Sequence, residues 1–376
     1  MSDLLVAQRQ ELLLRELRAS GAVRITELAA RFGVSGGTIR RDLADLAAAG
    51  RVTKVRGGAV LAEPTGDADA STGPESAESP GAGAPTAGHT LGLLVPSATY
   101  YYPRVVAGVR AVAAQRGARV VIGLTDYAQP RDARQIDELY SSGVAGLLVT
   151  STGGHHLRQE TLDRLRAGGL PFVLVERQPE SPYEPCEFVV SDHRQGAYSA
   201  VRHLRDLGHD RVGLYTNGSP TASLVREGHA AAVERLDLVP AAPALDGGRP
   251  TLGSEEAARQ YDAFIEACLA SGTRAALVHS DHDAIELMQR LRARGLRTPE
   301  DMALVAYDDE IAALADVPLT AVAPPKQEIG EQAARLLLDR LDATEPVSAR
   351  QLTVQPRLIV RESCGAAPTE AAARES

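Results

Sequence analysis

The sequence predicts a multi-domain chain: a small, mostly helical head, an acidic tether, and a large α/β body built on doubly wound parallel sheets. Three observations lead there. Residues 62–88 consist of Ala, Gly, Pro, Ser, Thr, Asp and Glu without one large apolar residue. Such a stretch buries too little to offset its ordering entropy and reads as a flexible linker. Beyond it, short apolar runs alternate with helical stretches, the pattern of a parallel sheet covered on both faces. Charge follows the same division: the net charge of -9 splits into +4 over residues 1–60, -5 over 61–89 and -8 over the remainder. A basic head on an acidic body is expected where a small domain touches phosphates.

The length of 376 residues suits two or three globular units. No run approaches the roughly 18 uncharged apolar residues that a membrane helix needs. The start, Met1-Ser2-Asp3-Leu4, lacks the basic region of a secretory signal. Cys186, Cys268 and Cys364 lie far apart and fit no zinc spacing. A cytoplasmic chain without a membrane partner is the expectation.

In the head (1–61), Leu12, Leu13 and Leu17 fall at helical spacing and Gly21 can stop that helix. Val23-Arg24-Ile25 is a short extended piece. Thr26 can cap a helix burying Leu28, Ala29 and Phe32, and Gly33 supplies a tight turn. Ser35 caps the next helix, whose Ile39, Leu43 and Leu46 face the core while Gly37, Arg41 and Ala44 point outward, with Thr38 and Arg40 on the flanks. Residues 51–60 read as a hairpin with basic residues near its tip.

The residues Glu27-Leu28-Ala29, Phe32-Gly33-Val34-Ser35, Thr38-Ile39-Arg40-Arg41-Asp42-Leu43 and Arg56-Gly57-Gly58-Ala59 carry a resemblance to the winged helix-turn-helix of the DeoR family. Gly36-Gly37 departs from it, standing where that family has larger residues. The resemblance implies double-stranded operator DNA as partner, with Arg40, Arg41, Lys54 and Arg56 on phosphates or bases and Ser35 and Thr38 at the helix start. The plainer reading is an interaction module with solvated arginines.

The body (89–363) begins with the apolar runs Leu91–Val95, Val120–Ile122, Gly146–Val149, Phe172–Val175, Val212–Tyr215, Ala275–Val278 and Ala303–Ala306 as strands. Helices are expected at Arg104–Arg116, Gly196–Leu207, Ser254–Ala270 and Asp283–Arg294. The stretches Gly143–Val149, Pro171–Arg177, Ser191-Asp192, Ser280-Asp281, Val305–Asp309 and Pro318-Leu319-Thr320 resemble the effector-binding core of the LacI/GalR regulators. That likeness implies two doubly wound subdomains joined by three crossings: roughly 89–190 with 322–343, and 191–321 with 344–363. Residues 364–376 read as a frayed tail.

The resemblance implies a small carbohydrate effector in the cleft, held by Tyr101, Tyr102, Glu176, Arg177, Asp281 and Asp308, and a homodimer. Loop packing by the tyrosines and helix capping by Asp281 are the structural alternatives. Asp192 reads as a helix cap. Val225 stands where the family has an effector-binding Arg, Arg226 lies one residue later, Ser280 replaces a usual Asn and Pro324 a usual Gln. His155-His156 and His279/His282 form no convincing metal set, and no nucleophile elbow, P-loop or dinucleotide fingerprint follows any strand. The expectation is a regulator without catalytic residues or cofactor. The alternative is a DNA-binding head fused to a degenerate sugar-phosphate-processing domain.

Overall fold

A computed structural model describes residues 22–24, 36–48, 52–55, 58–61, 88–125 and 129–366. The chain divides into two compact units, Met1–Thr86 and Ala87–Ser376. In the first, helix α1 (Gly36–Ala48) buries Ile39, Leu43 and Leu46 on one face and exposes Gly37 and Arg41. Thr38 and Ala44 are half-buried, so Ala44 turns less far outward than the spacing suggests. The antiparallel hairpin of β2 (Val52–Val55) and β3 (Gly58–Leu61) pairs Lys54 with Ala59. Strand β1 (Ala22–Arg24) joins its other edge, so the short extended piece is a third sheet strand. Ser35, Arg56, both expected helices before residue 36, the tether up to residue 87 and the tail from 367 lie outside the described residues.

The second unit holds two six-stranded sheets and a short parallel pair, β7 (His156–Leu157) with β9 (Gln178–Pro179). The first has the order β16 (Gln351–Val354), β10 (Glu187–Ser191), β8 (Phe172–Val175), β6 (Gly146–Val149), β4 (Thr90–Val95), β5 (Arg119–Leu124), with every pair parallel. The second has the order β12 (Ala244–Asp246), β11 (Gly213–Thr216), β13 (Ala275–Val278), β14 (Ala303–Tyr307), β15 (Thr320–Ala323), β17 (Arg357–Ile359), antiparallel only at β15–β17.

Alternation within each strand sorts the cores. Leu91, Leu93 and Val95 pack against α2 (Tyr102–Gln115) and α9 (Lys326–Asp342). Leu94 faces the opposite core, with Ile136 and Leu139 of α3 (Gln129–Ser141) and Leu162 and Leu165 of α4 (Gln159–Ala167). The second sheet is likewise covered by α5 (His193–Asp206) and α6 (Ala222–Arg235) on one face. Its other face carries α7 (Glu255–Ser271) and α8 (Asp281–Ala293).

Helices α2 and α9 meet backbone to backbone. A Cβ on Gly108 would lie 2.0 Å from the Gln327 carbonyl oxygen, and one on Gly330 would lie 2.1 Å from that of Val105. Only glycine fits either place.

The chain passes between the sheets after β10, after β15 and between β16 and β17. The expected subdomain limits need correcting at the last two passages. Residues 351–354 lie with the first sheet, because β16 pairs along β10 from Phe188↔Gln351 to Ser191↔Val354. Val322 and Ala323 remain with the second sheet in β15. Pro324-Pro325 interrupts strand pairing there and marks the passage.

Candidate functional site

A cavity of about 310 Å³ opens at the carboxyl ends of strands from both sheets. Tyr100, Tyr101 and Tyr102 follow β4, and Glu176-Arg177 follows β8. From the second sheet come Asn217 after β11, His279 and Ser280 after β13, and Asp308 after β14. His193, at the start of α5, lies between the two groups.

Three residues lining the cavity hold left-handed backbone: Tyr100 (φ 61°), Glu176 (φ 54°) and Asp308 (φ 91°). Strain of this kind persists where surrounding contacts over-determine it, and it concentrates at binding sites.

Glu176 is 3% exposed, and protein donors satisfy both of its oxygens. Oε1 accepts from Tyr101 Oη and Ser191 Oγ, both at 2.7 Å. Oε2 accepts from the Ser191 amide at 3.0 Å and lies 3.6 Å from His193 Nε2. Burial pushes this carboxyl up, but His193, Tyr101 and Ser191 outweigh it and bring it down to about 2. Three hydrogen bonds and the His193 contact occupy most of the acceptor capacity of this carboxylate, so it is less free than Asp308 to meet a ligand hydroxyl.

Asp281, expected as an effector ligand, needs a correction. It is 0% exposed, its Oδ1 accepts from Tyr100, and its Oδ2 accepts from the Glu310 and Ile311 amides at 2.7 and 2.8 Å. It sits behind the wall and anchors the loop after β14. The cap of α8 is Ser280, in a box with Asp283. Asp283 reaches the wall but is also filled, by Tyr261, Asn217 and Ser280. Asp192 does cap α5, accepting from the Gln195 amide at 3.0 Å.

Two charged groups keep an atom without a hydrogen bond among the described residues. Asp308 Oδ2 lies 3.1 Å from Tyr100 Oη and 3.8 Å from His279 Nε2, and Oδ1 has no hydrogen bond among the described residues. Arg177 donates from Nε to the Ser151 carbonyl at 3.0 Å and from Nη1 to that of Glu176 at 2.7 Å. Its Nη2 is buried without a well-aligned hydrogen-bond partner among the described residues, while the guanidinium stands against the Tyr102 hydroxyl, where its charge and hydrogen bonding oppose the upward push that burial gives that phenol. His279 Nδ1 is also buried and unpartnered, and burial lowers that imidazole so that it stays neutral. Buried polar atoms without partners are rare and mark places where a ligand or water completes the set.

Of the predicted effector residues, Tyr101, Tyr102, Glu176, Arg177 and Asp308 line the cavity, Glu176 with protein donors on both oxygens. Sequence reasoning passed over Tyr100, His193 and His279 as wall residues. Val225 is buried in the second-sheet core, and Arg226 turns away to Asp246 at 2.5 Å. Among the described residues there is no cluster of three or more groups fit to hold a metal ion, and no helix is long and apolar enough to cross a membrane.

Residues 9–65 match the DeoR-like helix-turn-helix domain, and residues 201–364 match the periplasmic binding protein-like domain. Over 284 residues the chain is 30% identical to the ribose operon repressor of Escherichia coli (strain K12), covering 73% of this chain and 82% of that one. The chain belongs to the LacI/GalR-type family of transcriptional regulators. Another member, the arabinose metabolism transcriptional repressor of Geobacillus stearothermophilus, is 24% identical over 356 residues, covering 90% and 89% of the two chains. Among solved structures of such regulators, the CelR–cellobiose complex superposes with a TM-score of 0.63 at 25% identity, over 73% of this chain and 84% of that one. A LacI family regulator from Enterococcus faecium with bound ribose gives 0.59 at 23%, over 74% and 99%. These relatives are regulators and not enzymes, which sets aside the degenerate-enzyme alternative.

Proposed function

We propose that the chain is a cytoplasmic repressor whose cavity takes a small, uncharged carbohydrate and whose winged head binds operator DNA as one half of a homodimer. The observation that carries the ligand class is the pairing of an acceptor and a donor on opposite walls of the cavity. The Asp308 carboxylate accepts, the Arg177 guanidinium donates, and a hydroxyl group can answer either. Tyrosine rings supply the faces on which sugar C–H surfaces rest. The ribose, arabinose and cellobiose named for the relatives above support the same class.

On the DNA side, Arg41 is exposed on the helix face opposite the buried Ile39, Leu43 and Leu46, the geometry for groove contact. Ser35, Thr38, Arg40, Lys54 and Arg56 complete the proposed surface. Two tethered heads on adjacent half-sites gain effective concentration that one head lacks. With residues 62–88 between head and body, cleft closure acts by changing the spacing open to the two heads.

Thermal unfolding of the full chain against a panel of pentoses, hexoses and disaccharides tests this. A sugar at a hundredfold excess over its Kd adds about 2.7 kcal/mol and raises the melting temperature by about 5 °C. A panel without any shift would refute the carbohydrate reading.

A further inference from the structure

The phenol of Tyr100 reaches from the first subdomain across the cavity to carboxylates of the second. Its hydroxyl contacts Asp281 Oδ1 and lies 3.1 Å from Asp308 Oδ2. Its ring packs on His282 at 4.8 Å between centroids. The left-handed backbone at φ 61° turns the side chain that way, a conformation rare for a bulky residue. Burial, then the charges of Asp308 and Asp281, push the phenol well above its usual range, so it keeps its proton.

Asp281 also receives the Glu310 and Ile311 amides, so the bond to Tyr100 grips the loop that carries Asp308. Two further contacts from the first subdomain hold that loop: Arg104 Nε lies 3.3 Å from Glu310 Oε1, and Lys326 Nζ lies 2.6 Å from the same oxygen.

We propose that Tyr100 is a positioning and specificity-determining residue, tethering the two subdomains before ligand arrives and fixing which Asp308 oxygen the ligand meets. A phenol has one proton to give. Asp281 takes it in the closer contact, and Asp308 Oδ2 is screened by the same hydroxyl. Oδ1 then has no protein donor among the described residues, so the hydroxyls that Asp308 accepts meet that oxygen first. The ring position set against Oδ1 is the one whose configuration the site reads. The ligand half of this proposal rests on the carbohydrate reading; the tether does not.

The test uses the full chain with spin labels at Glu160→Cys and Glu255→Cys, exposed positions on the first and second subdomain. The native Cys186, Cys268 and Cys364 are buried and escape labelling. Without ligand and diluted with an excess of unlabelled chain, the wild-type background gives one narrow distance within the chain, and Tyr100→Phe lengthens and broadens it while keeping the ring on His282. Superimposable distributions from two folded proteins overturn the tether. In a second arm, D-ribose is compared with its epimers D-arabinose and D-xylose by calorimetric titration. Tyr100→Phe reduces the wild-type preference among them by about fivefold, the worth of one neutral hydrogen bond. An unchanged preference overturns the specificity role. If none of the three binds, the carbohydrate reading suffers, and the distance measurement still decides the tether.

Discussion

Glu176 and Asp308 occupy equivalent places on opposite walls of one cavity, yet their chemistry differs. Each follows a buried parallel strand, each has left-handed backbone, and each is nearly buried, at 3% and 6% exposure. The difference lies in what the neighbouring chain supplies. Glu176 sits beside the first passage between the sheets, where Ser191 and His193 deliver donors to it. Asp308 sits beside the second, where the Lys326 ammonium is donated to its backbone carbonyl and not to its carboxylate. A carboxylate at a strand end is thus a ligand group or a strut according to its donor count, and residue type alone does not decide.

The comparison breaks most sharply at Asp308. Asp308→Ala removes an acceptor of charge-assisted bonds worth roughly 1.5–3 kcal/mol each, so sugar affinity falls about 10² or more. DNA binding without sugar persists, since the head is a separate unit. Wild-type affinity in a calorimetric titration of the folded variant would remove Asp308 from the site.

Glu176→Gln gives the opposite pattern. It leaves one of the donors around Glu176 unanswered and lowers stability by about 2 kcal/mol, with sugar affinity of the folded protein nearly unchanged. The pH dependence sharpens this. The folded-state value near 2 lies below the unfolded 4.5, so Glu176 contributes stability that is fully present above pH 4.5 and is lost as pH falls towards 2. At full extent this is about 3 kcal/mol. Denaturant melts of wild type and variant should converge across that window. Parallel curves throughout it would show that Glu176 is not held as described.

The smallest effect lies in the head. Arg41→Ala should reduce the slope of log affinity for operator DNA against log salt by about 1 and leave the melting of the sugar-binding unit unchanged. A slope equal to that of wild type would move Arg41 off the phosphates.

Much of the body was legible in the sequence, because strands buried on both faces announce themselves as apolar runs. The seven expected strands all form, and the four expected helices begin and end within three residues of their observed limits. Five strands of the two large sheets, β10, β12, β15, β16 and β17, escaped the apolar-run reading. β12 and β16 are edge strands, half exposed in alternate positions, and carry little apolar signal. β10 carries Glu187 at its start, buried and paired to Arg340 of α9 at 2.7 Å, a partner 153 positions away. The site was legible as a set of strand ends, and four of the six expected residues line it with an open or aromatic face. The roles of Glu176, Asp281 and Tyr100 were not legible, because each depends on hydrogen-bond partners brought from other segments of the chain. Periodicity and motif spacing carry no record of those partners.

The two glycines at the α2–α9 contact have a mechanical consequence. Helices touching through their backbones have no side-chain layer to shear, so they behave as one stiff bar. One end of that bar carries Tyr102 and, just before it, Tyr101; the other helix begins at Lys326, whose ammonium lies 5.0 Å from the Tyr101 ring. The first wall of the pocket is thereby inherited as a block. An evolving or engineered pocket would find its freedom on the opposite wall, where His279, Asn217 and the residues after β11 can be exchanged one at a time without unseating the bar.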